Sequence, residues 1–284
     1  MEYECGEAVN EMSKNTNNTS GKYDLTALMV MAAAREVKNG EVVFAGTGLP
    51  MIAIMAAQHL HAPDAVLIYE AGTIDGKTIS IPSSVADPRC VYQASVASGV
   101  ANVFETLQRG LVDLGYLGGA EIDLYGNVNA TSIGDYMHPA KRFPGSGGNV
   151  DINCLAKRTV YIMVQEKRRF RNRVDYLTSP GWKVKWWDEG AAQPKWVARK
   201  KLYPKQFQGG PSAVITNMAV FRFDETGTMY LDTVHPGKTV EDVKNNVEFD
   251  LNVKRVTGET KMPTKEEMDI LYNEIDPEGI FLKR

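Results

Sequence analysis

From Asp24 onward, apolar residues recur at intervals of three and four, so that Leu25, Leu28, Met29, Ala32, Ala33 and Val37 fall on one helical face. Asp24 is placed to cap this helix and Gly40 to stop it, which predicts a helix to about Asn39. The pattern then changes period. Residues 41–45 (EVVFA) form a short apolar run that predicts a buried strand. Gly46-Thr47-Gly48 supplies a turn, and Pro50 suits the opening of a helix through Leu60. A second apolar run, residues 65–69 (AVLIY), ends directly on Glu70. Strand, glycine turn, helix and strand make a βαβ unit, so an α/β fold with parallel strands follows.

Further on, Val91 to Val96 reads as a third strand, Ala101 to Val112 as a helix, and Leu114 to Leu117 as another strand. Gly118 to Asp151 is dense in Gly, Asn, Asp, Ser and Pro and has no periodicity of either kind. A long irregular segment of this sort inside a compact domain is usually functional. Thr159 to Val164 returns to the sheet. Gly181 to Pro211 reads as a basic loop bearing Trp182, Trp186, Trp187 and Trp196. Strand runs over Ala213 to Phe223 and Met229 to Val234, with helices near Thr239 to Asn246 and Thr264 to Glu274, close the chain. With no internal repeat and no linker, one domain over residues 23–284 is expected, behind a polar, flexible tail over residues 1–22.

Composition excludes more than it selects. At 284 residues, with 43% hydrophobic and 24% charged positions, the chain has the make-up of an ordinary globular protein. A net charge of -3 gives no reason to expect nucleic acid. No run approaches the ~18 apolar residues of a membrane span, and the tail lacks the apolar stretch of a secretory signal. Cys5, Cys90 and Cys154 share no metal-like spacing and cannot all pair with one another, which fits a reducing, cytoplasmic setting. The four histidines form no HxxxH or HExxH pattern, so no metal centre is expected.

Glu70 is the candidate with the sharpest chemistry. A carboxylate closing a buried strand must be solvated at the sheet's C-terminal edge or met by partners, and ligands of open α/β sheets bind at that edge. A strand-end glutamate paired with a lysine or arginine is the plain alternative. Gly46-Thr47-Gly48 ahead of a helix suits an anion and begins a dinucleotide pattern, with Glu70 near the place of the ribose-binding acid, but Met51 stands where the third glycine belongs. Residues 71–78 (AGTIDGKT) satisfy a relaxed phosphate-loop pattern, yet Ile79-Ser80-Ile81-Pro82 follows instead of a helix. Gly145-Ser146-Gly147-Gly148-Asn149 offers consecutive unhindered N–H groups, a nest for a carboxylate or oxyanion if Gly147 and Gly148 adopt a φ that only glycine tolerates. The run Glu166-Lys167-Arg168-Arg169-Phe170 is either a solvated face or a hold on phosphates.

Taken in order, several segments resemble the β subunit of the glutaconate type of class I CoA-transferase. They are residues 42–50 (VVFAGTGLP), 69–72 (YEAG), 117–123 (LGGAEID), 125–129 (YGNVN), 131–136 (TSIGDY), 145–148 (GSGG), 166–170 (EKRRF) and 177–181 (LTSPG). The likeness is close over residues 23–182 and looser beyond. It implies a Rossmann-like, three-layer α/β/α subunit with mostly parallel strands. It also implies a homologous α subunit as partner, as α2β2, and CoA as substrate with no cofactor. Glu70 would then be the nucleophile that forms a mixed anhydride and then a glutamyl-CoA thioester. Gly72 would complete its E-x-G element, and Gly46, Gly48, Gly147 and Gly148 would provide oxyanion or CoA contacts. The tryptophan-bearing loop would shape an acyl pocket or cover a subunit interface. Acyl-CoA hydrolysis or decarboxylation on the same fold, a nicotinamide-dependent oxidoreductase, and a noncatalytic binding subunit are the alternatives.

Overall fold

The structure is a computed structural model that describes residues 24–205 and 209–282; the predicted tail over residues 1–22 lies outside them. Helix α1 (Leu25–Ala34) begins where Asp24 accepts a hydrogen bond from Thr26 N–H at 2.7 Å. Eight of its ten residues are buried, so it is a core helix rather than an amphipathic surface one. It stops short of the predicted Asn39. The amides of Glu36 and Val37 turn back to the carbonyls of Ala33 and Ala34, which tucks Val37 into the core.

The predicted βαβ unit follows as β1 (Val42–Ala45), α2 (Leu49–Leu60) and β2 (Val66–Ile68), with Val43 opposite Leu67 in parallel register. Strands β3 (Thr73–Ile74) and β4 (Val96–Ala97) extend the sheet antiparallel to its edge. Helix α3 (Val100–Gln108) leads to β5 (Leu114–Leu117), parallel to β1 on its other flank. Then come β6 (Glu121–Asp123), β7 (Val128–Asn129), β8 (Ser132–Gly134), β9 (Pro139–Arg142), α4 (Asn149–Leu155), β10 (Arg158–Ile162) and β11 (Phe170–Arg171). The C-terminal third holds β12 (Lys183–Trp186), β13 (Lys195–Ala198), α5 (Arg199–Leu202), β14 (Gly210–Ile215), β15 (Ala219–Phe223) and β16 (Met229–Val234). It ends with α6 (Val240–Asn245), β17 (Gly258–Glu259) and α7 (Lys265–Ile270), which runs into a π turn over Leu271–Ile275.

Ten strands share one sheet in the order β17-β16-β15-β14-β10-β5-β1-β2-β3-β4. The central five, β14 to β2, are parallel. Side chains alternate across them as a pleat requires. Val43, Ala45, Leu114 and Tyr116 pack with α1, α2 and the residues of the C-terminal π turn on one face. Phe44, Leu117, Tyr161 and Val214 pack with α3, α4 and the small sheet β11-β6-β7 on the other. That is the predicted three-layer α/β arrangement.

Four expectations need correction. Val91 to Val96 is not a strand: Asp87 caps a 3₁₀ turn over Pro88–Val91, Gln93 takes φ +50, and only Val96–Ala97 pairs. Gly118 to Asp151 is not irregular but holds β6 to β9 and the start of α4. Those strands are too short for a period, and several bury polar residues, Glu121, Asp123, Asn129 and Ser132 among them. Residues 213–223 split into antiparallel β14 and β15 because Thr216 Oγ1 accepts from the amides of Met218 and Ala219 and closes a turn. The tryptophan-bearing segment is a β12–β13 hairpin followed by α5. Trp182 Nε1 donates to Pro211 O at 2.7 Å, at the beginning of β14.

Two buried titratable groups oppose each other. His235 is wholly buried, and desolvation depresses its pKa to about 4. Its Nε2 lies 2.7 Å from Thr216 O, which can only accept, so Nε2 carries the proton and Nδ1 accepts from Thr260 Oγ1 at 2.8 Å. Between about pH 6.5 and 4 the unfolded chain binds this proton and the folded one does not, so this residue's contribution to stability falls on acidification. Burial raises Asp123 to about 6, against hydrogen bonds from Asn127 and Tyr125, and its contribution runs the other way over much the same range. The wild-type curve therefore hides both. His235→Gln should be destabilised at pH 7, and its gap from wild type should narrow by about 3 kcal/mol by pH 4. Chemical unfolding of both proteins across that range measures it; a gap independent of pH would show that His235 titrates normally in the fold.

Candidate active site

The parallel strands deliver Glu70 to their C-terminal edge. Strand β2 gives out at Ile68, and Tyr69 stays wholly in the core with its hydroxyl 2.6 Å from Thr78 Oγ1; burial pushes its pKa up to about 12. The chain then reverses, with Gly72 N–H donating to Tyr69 O at 3.0 Å. Gly72 sits at φ +125, and its carbonyl accepts from Ser98 N at 3.0 Å and Ser98 Oγ at 2.8 Å. A Cβ at position 72 would lie 2.3 Å from Ser98 O, so only glycine permits this approach. Glu70 is thus carried, half-buried, between a tyrosine anchored in the core and a glycine fastened to Ser98.

A half-buried carboxylate needs a donor, and a backbone amide provides one. Gly148 N–H donates to Glu70 Oε1 at 3.1 Å. Both residues line a cleft of about 210 Å³ at the ends of β1, β2 and β5, walled by Phe44, Thr47, Pro50, Tyr116, Ser146 and Asn149 among others. Gly46 lines the cleft beside Thr47, and Gly147 lines it beside Gly148. Gly147 has φ +48, as the nest expectation requires, but Gly148 has an ordinary φ of -77. What demands glycine at 148 is space. A Cβ there would lie 2.6 Å from Phe104 Cζ and 3.0 Å from Glu70 Oε1.

Of the residues singled out in the sequence, the structure therefore brings together Glu70, Gly46, Gly147 and Gly148. Gly48 and Gly72 are not among the lining residues. Gly48 takes φ +96 at the head of α2, where its carbonyl accepts from the amides of Met51 and Ile52, and Gly72 makes the turn after Glu70. Sequence reasoning missed Phe104 and Tyr116. Phe104 stands edge-on to Phe44 at 5.8 Å, close over Gly148, and Tyr116 is anchored by its hydroxyl to Ala33 O at 2.6 Å. Aromatic side chains that wall a site carry no sequence signature beyond that of core residues.

The competing motifs dissolve in the fold. Met51 is fully buried inside α2, so the close helix–strand approach of a third dinucleotide-loop glycine is lacking. Residues 71–78 become a turn and β3, with no helix after them. Among the described residues of 181–211 none lines the cleft, so hairpin β12–β13 does not wall the pocket around Glu70 within this subunit. Among the described residues, no group of three or more His, Cys, Asp or Glu could hold a metal ion, and no helix is long and apolar enough to cross a membrane.

Comparison with known proteins identifies the family to which this fold belongs. The chain is 37% identical over 280 residues to the B subunit of glutaconate CoA-transferase from Acidaminococcus fermentans, covering 96% of this chain and 98% of that one. It is 36% identical over 252 residues to the B subunit of 3-oxoadipate CoA-transferase from Pseudomonas knackmussii, covering 88% and 92%. The crystal structure of glutaconate coenzyme A-transferase from Acidaminococcus fermentans superposes with a TM-score of 0.82 at 34% identity, over 95% of this chain and 99% of that chain. The family model for coenzyme A transferases matches residues 26–246, and this chain belongs to the coenzyme A transferase family.

Proposed function

We propose that this subunit moves CoA between an acyl-CoA and a carboxylic acid through a glutamyl-CoA thioester on Glu70, in the cytoplasm and in an α2β2 assembly with a homologous α subunit. The observation that carries this reading is the Glu70 carboxylate in the cleft with one oxygen already fixed by Gly148 N–H. With Oε1 held, Oε2 is the oxygen left to attack the thioester carbonyl. That attack expels CoA thiolate and leaves a mixed anhydride between the acyl group and Glu70. The thiolate then attacks the glutamyl carbonyl, the substrate's carboxylate departs, and CoA remains on Glu70. An acceptor carboxylate reverses the sequence and leaves as the new acyl-CoA.

In this scheme Oε1 becomes the carbonyl oxygen of the glutamyl group and bears the negative charge each time that carbon turns tetrahedral. Gly148 N–H is already aimed at it, so the donor need not reorganise in the transition state. The oxyanion on the substrate's acyl carbon falls to the Gly46–Thr47 turn ahead of α2, which lines the same cleft. Retention of the thioester's energy on the enzyme is what makes the exchange reversible without water.

The test uses the assembly co-purified with its α subunit. Incubation with acyl-CoA and no acceptor should leave CoA on this chain, and borohydride should then reduce the glutamyl thioester to an alcohol, inactivate the enzyme irreversibly and mark the peptide containing Glu70. The isolated chain should show little transfer, which the partner restores. Labelling at another residue, or none, would overturn the mechanism; full activity of the chain alone would overturn the need for a partner.

A further inference from the structure

The Gly145–Gly148 loop that presents the amide to Glu70 is tied down at both ends, and both ties lead to the dipeptide Thr178-Ser179. At the far end of the loop, Ser179 Oγ donates to Asn149 Oδ1 at 2.6 Å. Asn149 is the first residue of α4 and adjoins Gly148, and its Nδ2 donates to Gly118 O, itself in the cleft wall, at 3.2 Å. One turn along α4, Asn153 Nδ2 donates to Pro180 O at 2.6 Å, so the same helical face is fastened twice to the same segment.

At the near end, Thr178 Oγ1 accepts from Ala130 N–H at 2.9 Å and meets Thr131 Oγ1 at 2.7 Å. Ala130 O in turn accepts from Gly145 N–H at 3.1 Å, and Thr131 O from Phe143 N–H at 2.9 Å. Thr178 and Ser179 are themselves fixed: both amides donate to Val128 O at 3.0 Å, and Val128 N–H returns a bond to Ser179 O at 2.9 Å. Ser179 is completely buried and Thr178 nearly so. Ser179 thus reaches the far end of the loop at Asn149 directly, and Thr178 reaches the near end through Ala130 and Thr131.

We infer that Thr178 and Ser179 are positioning residues for transfer: they hold the two ends of the Gly145–Gly148 loop so that Gly148 N–H stays on Glu70 Oε1. This rests on the reading of Glu70 as nucleophile. A backbone amide cannot choose its own place, and a shift of ~1 Å in such a contact can cost about a hundredfold in rate. Loop placement acts on the reacting carboxylate and not on the hold on acyl-CoA, so the loss falls on kcat rather than KM.

The experiment is steady-state kinetics of Ser179→Ala, Asn149→Ala, their double variant and Thr178→Val, each in the assembly with its partner, with Glu70→Ala alongside. Each single variant should lose about ten- to a hundredfold in kcat with KM for acyl-CoA changed less than about threefold. Asn149→Ala breaks the bond to Ser179 and also the one to Gly118 O, so the double variant should be no slower than Asn149→Ala alone. Ser179→Thr, which keeps the hydroxyl, should recover much of the rate. Thermal melting identifies any variant that merely fails to fold, and kcat is then read from Thr178→Val, whose shape matches the original. Unchanged kcat, additive losses, or equal changes in kcat and KM, with Glu70→Ala inactive, overturn the positioning role alone. Transfer surviving in Glu70→Ala overturns the nucleophile, and this inference with it.

Discussion

Glu70→Ala should lose transfer by on the order of 10⁴-fold or more while its melting temperature moves only a few degrees. The two effects separate because of where the residue stands. It is half-buried at the bend after β2, and its one described hydrogen bond is that to Gly148. Removing it costs about 1 kcal/mol of stability. On the proposed mechanism the substitution also removes the nucleophile and with it the covalent route, and no water-mediated exchange conserves the thioester. Glu70→Asp keeps the charge but draws the carboxylate back by one methylene, away from Gly148 N–H and from the thioester carbon, and a loss of about a hundredfold is expected. Initial rates of CoA exchange, with melting curves on the same preparations, measure both. Transfer that persists in Glu70→Ala would mean another residue carries the acyl group.

What the sequence made legible was the part of the molecule written in apolar periodicity. The run 41–45, the glycine turn, the helix from Pro50 and the run ending on Glu70 all sit where their pattern put them, because the apolar positions of both runs and of the helix are buried in the core. Position 70 was readable for the same reason: a charged residue breaks an apolar run at a strand end. The small sheet was not legible. Its strands are two to three residues long, and its interior positions include Glu121, Asp123, Asn127 and Asn129, which look like loop residues until their partners are known. Val91 to Val96 failed in the opposite way, since its apolar residues Val91, Tyr92 and Val96 lie exposed at the sheet edge and report no core.

The Gly145–Gly148 loop shows a third kind of limit. Its glycines were visible, but their separate reasons were not. Gly147 is glycine for its backbone angle and Gly148 for the ring above it, and the second reason depends on Phe104, 44 residues earlier in sequence on α3. Likewise Thr178-Ser179 stood in the sequence as part of the 177–181 segment of the family resemblance, with no role attached to either hydroxyl. Only the fold links that pair, Ser179 through Asn149 and Thr178 through Ala130, to the two ends of a loop that begins more than thirty positions before it.

That distinction at position 148 makes its substitution the sharpest test of the amide's role. Gly148→Ala should lower kcat about 10²- to 10³-fold, the range found when one preorganised oxyanion donor is lost. The new methyl would stand 2.6 Å from Phe104 Cζ and 3.0 Å from Glu70 Oε1, so either the ring or the carboxylate must give way. Overpacking of this sort also costs about 1–3 kcal/mol of stability, which would confuse the result on its own. Adding Phe104→Leu separates the two. Leucine lacks the Cζ that meets the methyl, so the double variant should regain most of the lost melting temperature. It should not regain kcat, because the methyl still crowds Oε1 and holds the carboxylate off the amide. Melting curves and kcat measured together on wild type, both singles and the double decide the matter. A double variant that recovers stability and rate in step would show that Gly148 serves only packing, and that its amide does not act on Glu70 during turnover.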